Sequence, residues 1–76
     1  MITKKIEKKL KEQEKCIPIR EIDYYDRKYV MTFKSKILGI EFKYFEIEEN
    51  EIKEVKDREI LKFFRENYEI HEDVVY

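Results

Sequence analysis

The chain contains one cysteine, Cys16, and one histidine, His71, two residue types that are often used in nucleophilic catalysis. A nucleophilic thiol needs a nearby base, and that base needs a third group to orient it. Most of the chain separates the two residues, and no motif places them side by side. We therefore interpret Cys16 as a buried or idle thiol and predict no catalytic residue.

Carboxylates are the second group of side chains that could bind a metal ion or act as acids and bases. Four glutamates crowd one predicted turn: Glu46, Glu48, Glu49 and Glu51. Hard cations such as Ca²⁺ bind carboxylate oxygens, but this spacing matches no calcium-binding loop. A cluster of Asp23, Asp26 and His71 has no local support, and a phosphate-binding loop needs more than the single glycine present. The sequence predicts neither a metal site nor a cofactor.

Basic residues suggest nucleic-acid binding as an alternative function. Residues 1–15 carry six lysines against three glutamates, net +3. A lysine-rich helix can bind phosphates through counterion release, and tyrosines near arginines can stack on bases. The candidate residues are Lys4, Lys5, Lys8, Lys9, Arg20 and Arg27. However, residues 37–76 carry six basic against twelve acidic residues, net −6, and the whole chain is at −1, so bulk charge does not support this alternative.

Aromatic residues favour a protein partner instead. The chain has six Tyr and five Phe, and tyrosine is enriched at protein interfaces. The first predicted hairpin holds more aromatic side chains than one face of a small sheet is expected to bury. The candidate partner-binding residues are Tyr24, Tyr25, Tyr29, Phe45 and Ile47. Because the core of so short a chain is thin, a homodimer is a second arrangement that would cover such residues.

A helix is predicted over residues 2–15, where isoleucine or leucine recurs every four residues in one narrow stripe. Thr3 is a candidate N-cap. Pro18 limits the end of the helix, because the residue before a proline avoids the helical conformation. The narrow stripe predicts that this helix contributes little to the core.

A three-stranded antiparallel meander is predicted over residues 17–47, where apolar and polar residues alternate. The alternation in the first strand shifts by one residue, and a bulge near Arg20 and Glu21 would account for the shift. A second change of parity occurs at Tyr44 and Phe45. It indicates either another bulge or a strand that is covered on both faces.

A second helix is predicted over residues 51–67, because its apolar residues fall within an arc of about 220°. Asp57 offers an alternative, as the cap of a shorter helix that begins at Arg58. Asn67 is a candidate C-terminal stop. Residues 69–76 are predicted to be a tail or a short last strand.

These elements predict a single α+β domain with an N-terminal helix, a three-stranded β-meander and a C-terminal helix packed on one sheet face. No apolar run has the length of a signal peptide or a membrane span, so we expect a cytoplasmic protein without a membrane partner. Small size and residues typical of AT-rich genomes suit an accessory protein of a phage or archaeal virus, acting in the host cytoplasm. We predict a non-enzymatic protein-binding module that inhibits a host defence complex, with a small nucleic-acid-binding domain as the alternative.

Overall fold

The computed structural model describes residues 2–69, which form two helices, one four-stranded sheet and a π-helical segment. In chain order the elements are α1 (Lys4–Gln13), β1 (Ile17–Tyr24), β2 (Arg27–Lys36), β3 (Gly39–Glu48), β4 (Glu51–Glu54), α2 (Arg58–Phe64) and the π-helical segment (Arg65–Glu69). The predicted α+β architecture is confirmed.

The strands form an antiparallel meander in chain order, so β1 and β4 are the edges of the sheet. The pairing of β2 with β3 runs without interruption from Lys28 opposite Ile47 to the turn. Since no residue is skipped, successive β3 side chains point to opposite faces throughout. The change of parity at Tyr44 and Phe45 is therefore a strand covered on both faces, not a bulge.

The pairing of β1 with β2 shifts register between Pro18 and Arg20, which leaves Ile19 as the extra residue of a β-bulge. The predicted bulge is confirmed, slightly earlier in the strand than expected. Beyond it, Ile22 faces the same side of the sheet as its partner Tyr29, and both are buried.

Helix α1 covers one face of the sheet. The Thr3 hydroxyl accepts a hydrogen bond from the Ile6 backbone N–H at 3.2 Å, so the predicted N-cap is confirmed. Ile6 and Leu10 are fully buried on the sheet. The other buried members of this core are Cys16, Val30 and Phe45. The narrow stripe contributes more to the core than the sequence suggested, because Ile6 and Leu10 pack directly on the buried residues of this sheet face.

Helix α2 and the π-helical segment cover the opposite face. The buried Phe64 ring lies with its centroid 5.4, 5.2 and 5.1 Å from those of Tyr24, Tyr29 and Tyr44. These edge-on and tilted arrangements are the ones that aromatic pairs prefer. Ile22, Met31 and Val55 complete this core. The sheet thus lies between two helical layers, each with its own core.

The structure corrects the predicted start of the second helix, because Glu51–Glu54 form a fourth strand. Glu49 adopts a positive φ of 57°, which allows a two-residue turn with Asn50. This turn brings Glu51 opposite Glu48 and starts the pairing of β4 with β3. The position of Ile52 fits both the alternation of a strand and the apolar face of a helix. Periodicity alone therefore does not distinguish a strand from a helix in this segment.

The shorter-helix alternative is confirmed, since α2 begins at Arg58. The Asp57 carboxylate accepts hydrogen bonds from two backbone N–H groups of the first helical turn, at 2.9 and 3.3 Å. Asn67 does not end the helix, because it lies inside the π-helical segment that follows α2. The prediction for residues 69–76 falls, apart from Glu69, outside the described residues.

The Tyr44 side chain connects the sheet to Glu69, the last residue of the π-helical segment. Its buried hydroxyl donates a hydrogen bond to the Glu69 carboxylate at 2.9 Å. Burial, followed by this hydrogen bond, raises the pKa of Tyr44 well above its ordinary value of 10.0. The Tyr44 hydroxyl therefore stays neutral in the folded protein at a pH where the same hydroxyl is ionised in the unfolded chain.

We expect Tyr44→Phe to be destabilised at neutral pH by about 1 kcal/mol, for the lost hydrogen bond. Because the raised pKa belongs to the folded state, the stability it supports is complete below about pH 10 and declines as the pH rises further. Thermal unfolding at pH values from about 8 to about 11 should show the wild type losing stability faster than Tyr44→Phe. A gap between the two proteins that stays constant over this range would contradict the assignment.

Candidate protein-binding surface

The turn between β1 and β2 holds Tyr25 and Asp26 at positive φ angles of 48° and 61°. A two-residue turn of this kind matches the twist of a hairpin and normally carries Asn, Asp or Gly. Asp26 fits that preference. Tyr25 does not, because a bulky side chain at positive φ strains the backbone. Such strained residues cluster at functional sites.

Tyr25 projects from the turn and is 82% exposed. Its ring meets the Tyr24 ring edge-on, with centroids 4.5 Å apart and an interplanar angle of 76°. On α2, Phe63 is 41% exposed and its centroid lies 4.9 Å from that of Tyr24. We call Tyr24, Tyr25 and Phe63 the aromatic patch. It joins the tip of a hairpin to the exposed side of a helix.

The aromatic core supports the patch from below. The Phe64 ring lies 5.4 Å from Tyr24 and 6.1 Å from Phe63, and Phe64 itself is fully buried. Two of the three patch rings therefore rest on a side chain that cannot move without opening the core. Rings held in place before binding lose little conformational entropy when a partner docks.

Ion pairs flank the turn. Lys28 contacts Asp23 at 2.6 Å across the hairpin, and this hydrogen bond raises the pKa of Lys28. Arg27 reaches from β2 to Glu46 on β3 at 3.4 Å. An apolar centre beside solvated polar side chains is the usual composition of a protein interface.

Two of the five predicted partner-binding residues, Tyr24 and Tyr25, lie in the aromatic patch. Tyr29 and Phe45 are buried in the two cores, one on each sheet face, so neither side chain can reach a partner. Ile47 is half-buried and packs against the core under α1. These three assignments are corrected, because α2 covers Tyr29 and α1 covers the sheet face that holds Phe45 and Ile47.

The structure spreads the basic residues of the nucleic-acid alternative over separate surfaces. Of the four candidate lysines on α1, Lys4, Lys5 and Lys8 are exposed. Lys9 pairs with Glu51 at 3.1 Å. Arg20 lies over the Tyr68 ring, 5.4 Å from its centroid, and Arg27 is held in its ion pair beside the turn. Because α1 and the aromatic patch belong to opposite faces, the lysines and the exposed tyrosine do not form one groove.

Two exposed apolar features are not singled out by the sequence. Phe63 falls on the apolar arc of the predicted helix, and only the position of α2 shows that its ring reaches the surface. Ile37 and Leu38 form the β2–β3 turn and are 100% and 98% exposed, with Ile40 at 57%. The available signal was an aliphatic pair in a two-residue turn, where polar residues are normal.

The candidate catalytic and metal-binding groups do not assemble in the described part of the chain. Cys16 is buried, and its thiol donates a hydrogen bond to the Glu14 carbonyl oxygen at 3.3 Å. His71 lies outside the described residues. Among residues 2–69, no three His, Cys, Asp or Glu side chains come together in a group that could hold a metal ion.

None of the helices within residues 2–69 is both long enough and apolar enough to cross a bilayer. Comparison with protein-family models, curated proteins and solved structures finds no match to this chain.

Proposed function

We propose that the chain is a non-enzymatic protein-binding module and that the aromatic patch is its contact site. The observation that carries this proposal is Tyr25, a large aromatic residue held at positive φ and left 82% exposed. Tyrosine is among the residues that most often dominate binding energy at protein interfaces.

The fold itself gives no reason for a tyrosine at this turn. Glycine or asparagine would adopt the same backbone conformation with less strain. The Tyr25 ring gains one edge-on contact with Tyr24 but keeps most of its surface in water. A residue whose backbone strain is not offset by its contacts inside the fold is best explained by a contact outside it.

The shape of the patch indicates the kind of partner it fits. Tyr25 stands at the tip of a hairpin, so it suits a concave apolar pocket whose rim pairs with the charged side chains beside the turn. The small size and composition of the chain suit a viral accessory protein that blocks a host defence complex by occupying such a pocket. The proposed site of action is the host cytoplasm.

Comparative affinity capture tests the proposal. Wild-type chain, Phe63→Ser and Lys8→Ser serve as baits in a lysate of the host, with captured proteins quantified by mass spectrometry. Phe63→Ser removes one exposed ring of the patch, and Lys8→Ser is a matched change on the opposite face. We expect a protein that is retained by wild type and Lys8→Ser and reduced at least tenfold, about 1.4 kcal/mol, by Phe63→Ser.

Two results of the capture experiment would overturn the proposal. One is an identical set of proteins on all three baits. The other is recovery of nucleic acid that Lys8→Ser abolishes and that rising salt removes, as phosphate binding by α1 requires.

A further inference from the structure

Strand β3 is longer than its outer neighbour, and this leaves part of its edge free. β4 pairs with β3 only from Phe45 to Glu48. The Val55 N–H extends the contact by one hydrogen bond, to the Tyr44 carbonyl oxygen at 2.8 Å. Within the described part of the chain, residues 39–43 have no strand on that side. Because backbone groups alternate along a strand, the N–H and C=O of Ile40 and Phe42 point outward, like those of Tyr44.

The other edge of the sheet is protected against pairing, whereas this one is not. β1 carries Pro18, which lacks an N–H, and the bulge at Ile19. Proline and bulges are common devices that prevent two sheet edges from joining. Residues 39–43 contain neither, and their register with β2 is regular. The free edge of β3 is thus the one suited to accept another strand.

Exposed aliphatic side chains lie at this same edge. Ile37, Leu38 and Ile40 are 100%, 98% and 57% exposed. Gly39, the residue that follows this turn, has a φ of 143°, a conformation that favours glycine. Leu38 immediately precedes β3, and along it Ile40 and Phe42 point to one face.

We propose that two copies of this chain pair through the free edges of β3, antiparallel and about a twofold axis at Ile40. In this register Leu38 of each copy lies opposite Phe42 of the other, and the two Ile40 residues face each other. The exposed Leu38 of each copy then packs beside the partly buried Phe42 of the other, and the two exposed Ile40 side chains contact each other. An interface that uses the same patch on both copies is the usual form of a protein dimer.

Neighbouring registers are less favourable for reasons visible in the monomer. An axis at Glu41 would place the two Glu41 carboxylates directly opposite each other. An axis at Phe42 would bring Ile40 of the second copy beside Tyr44, whose carbonyl oxygen already accepts the Val55 N–H. With the axis at Ile40, Glu41 lies opposite Gly39, and its charge is neutralised within its own chain by Lys36 at 2.9 Å.

The dimer does not depend on the aromatic patch, since Tyr25 and the Ile37 turn lie at opposite ends of β2. A ten-residue strand spans about 33 Å. Dimerisation therefore leaves both patches exposed, one at each end of the assembly. The dimer would present two equivalent binding sites and gain avidity for a partner that is itself repeated.

Cysteine cross-linking of the full chain tests the register. In an antiparallel pair the two Cα atoms at position 40 would be about 5.5 Å apart, a separation that a disulfide spans. Ile40→Cys should therefore oxidise to a covalent dimer. Ile37→Cys is the control: its residue is more exposed, but the two copies of it would lie about 20 Å apart. Cys16 is buried and is common to both variants.

Sedimentation velocity supplies the second measurement. Wild type should pass from monomer to dimer between about 10 μM and about 1 mM, the range expected for a small interface. Ile40→Lys should remain monomeric over this concentration range, because two like charges would meet on the twofold axis. At concentrations where the wild type is also monomeric, the variant should have the same melting temperature as the wild type. A wild type that is monomeric throughout, or Ile37→Cys cross-linking at least as fast as Ile40→Cys, would overturn the proposal.

Discussion

Replacing Phe64 with alanine is expected to destabilise the fold by about 3 to 5 kcal/mol, the usual cost of removing a fully buried aromatic ring. Phe64 is fully buried, and its ring contacts those of Tyr24, Tyr29 and Tyr44 at 5.4, 5.2 and 5.1 Å. A chain of this length is expected to have a total stability of about 4 to 11 kcal/mol. Losing this ring therefore removes a large share of the total and leaves a cavity between α2 and the sheet.

The adjacent residue provides the control for this prediction. Phe63 has the same side chain on the same helix but is 41% exposed, so Phe63→Ala should cost less than about 1.5 kcal/mol. Urea denaturation followed by circular dichroism measures both variants. Equal losses at the two positions would show that α2 does not pack on the sheet through Phe64.

The second large effect is expected at Tyr25, where binding and stability should change in opposite directions. Tyr25→Asn keeps a residue type that tolerates positive φ and so relieves strain of about 1 to 3 kcal/mol. It also loses the edge-on contact with Tyr24, worth about 0.5 to 1.5 kcal/mol. The difference between these two ranges lies between a loss of about 0.5 and a gain of about 2.5 kcal/mol, so we expect the variant to be as stable as wild type or more stable, while partner binding falls sharply.

Tyr25→Phe separates the ring from its hydroxyl. This variant keeps the aromatic contact and the strained backbone, so its melting temperature should match that of wild type. Thermal unfolding by circular dichroism distinguishes the three proteins. If Tyr25→Asn proved less stable than wild type by more than about 1 kcal/mol, Tyr25 would be a structural residue of the hairpin.

The core could be predicted from the sequence where periodicity is unambiguous. The start of the meander at Ile17, the cap at Thr3 and the bulge all follow from local patterns. Glu51–Glu54 could not be separated from the helix after it, because Ile52 and Val55 satisfy either period. Only the positive φ of Glu49 makes the two-residue turn, and a sequence does not show that a glutamate will adopt it.

The surface was less predictable than the core for a physical reason. Exposure depends on where a helix crosses the sheet, and α1 covers Phe45, which local alternation had left without a neighbour. The position of α2 on the sheet likewise decides that Phe63 is exposed whereas its neighbour Phe64 is fully buried. Tyr25 could be predicted to be exposed because the turn depends only on neighbouring residues, and because the hairpin around it contains more aromatic residues than one sheet face can bury.

The most direct test of the proposed function is a titration of the captured partner against wild type and Tyr25→Asn, with melting temperatures measured on the same samples. A hot-spot tyrosine predicts at least about 30-fold weaker binding, equivalent to about 2 kcal/mol, by a variant whose melting temperature is not lower. An unchanged dissociation constant for Tyr25→Asn would contradict the assignment of the aromatic patch as the binding site.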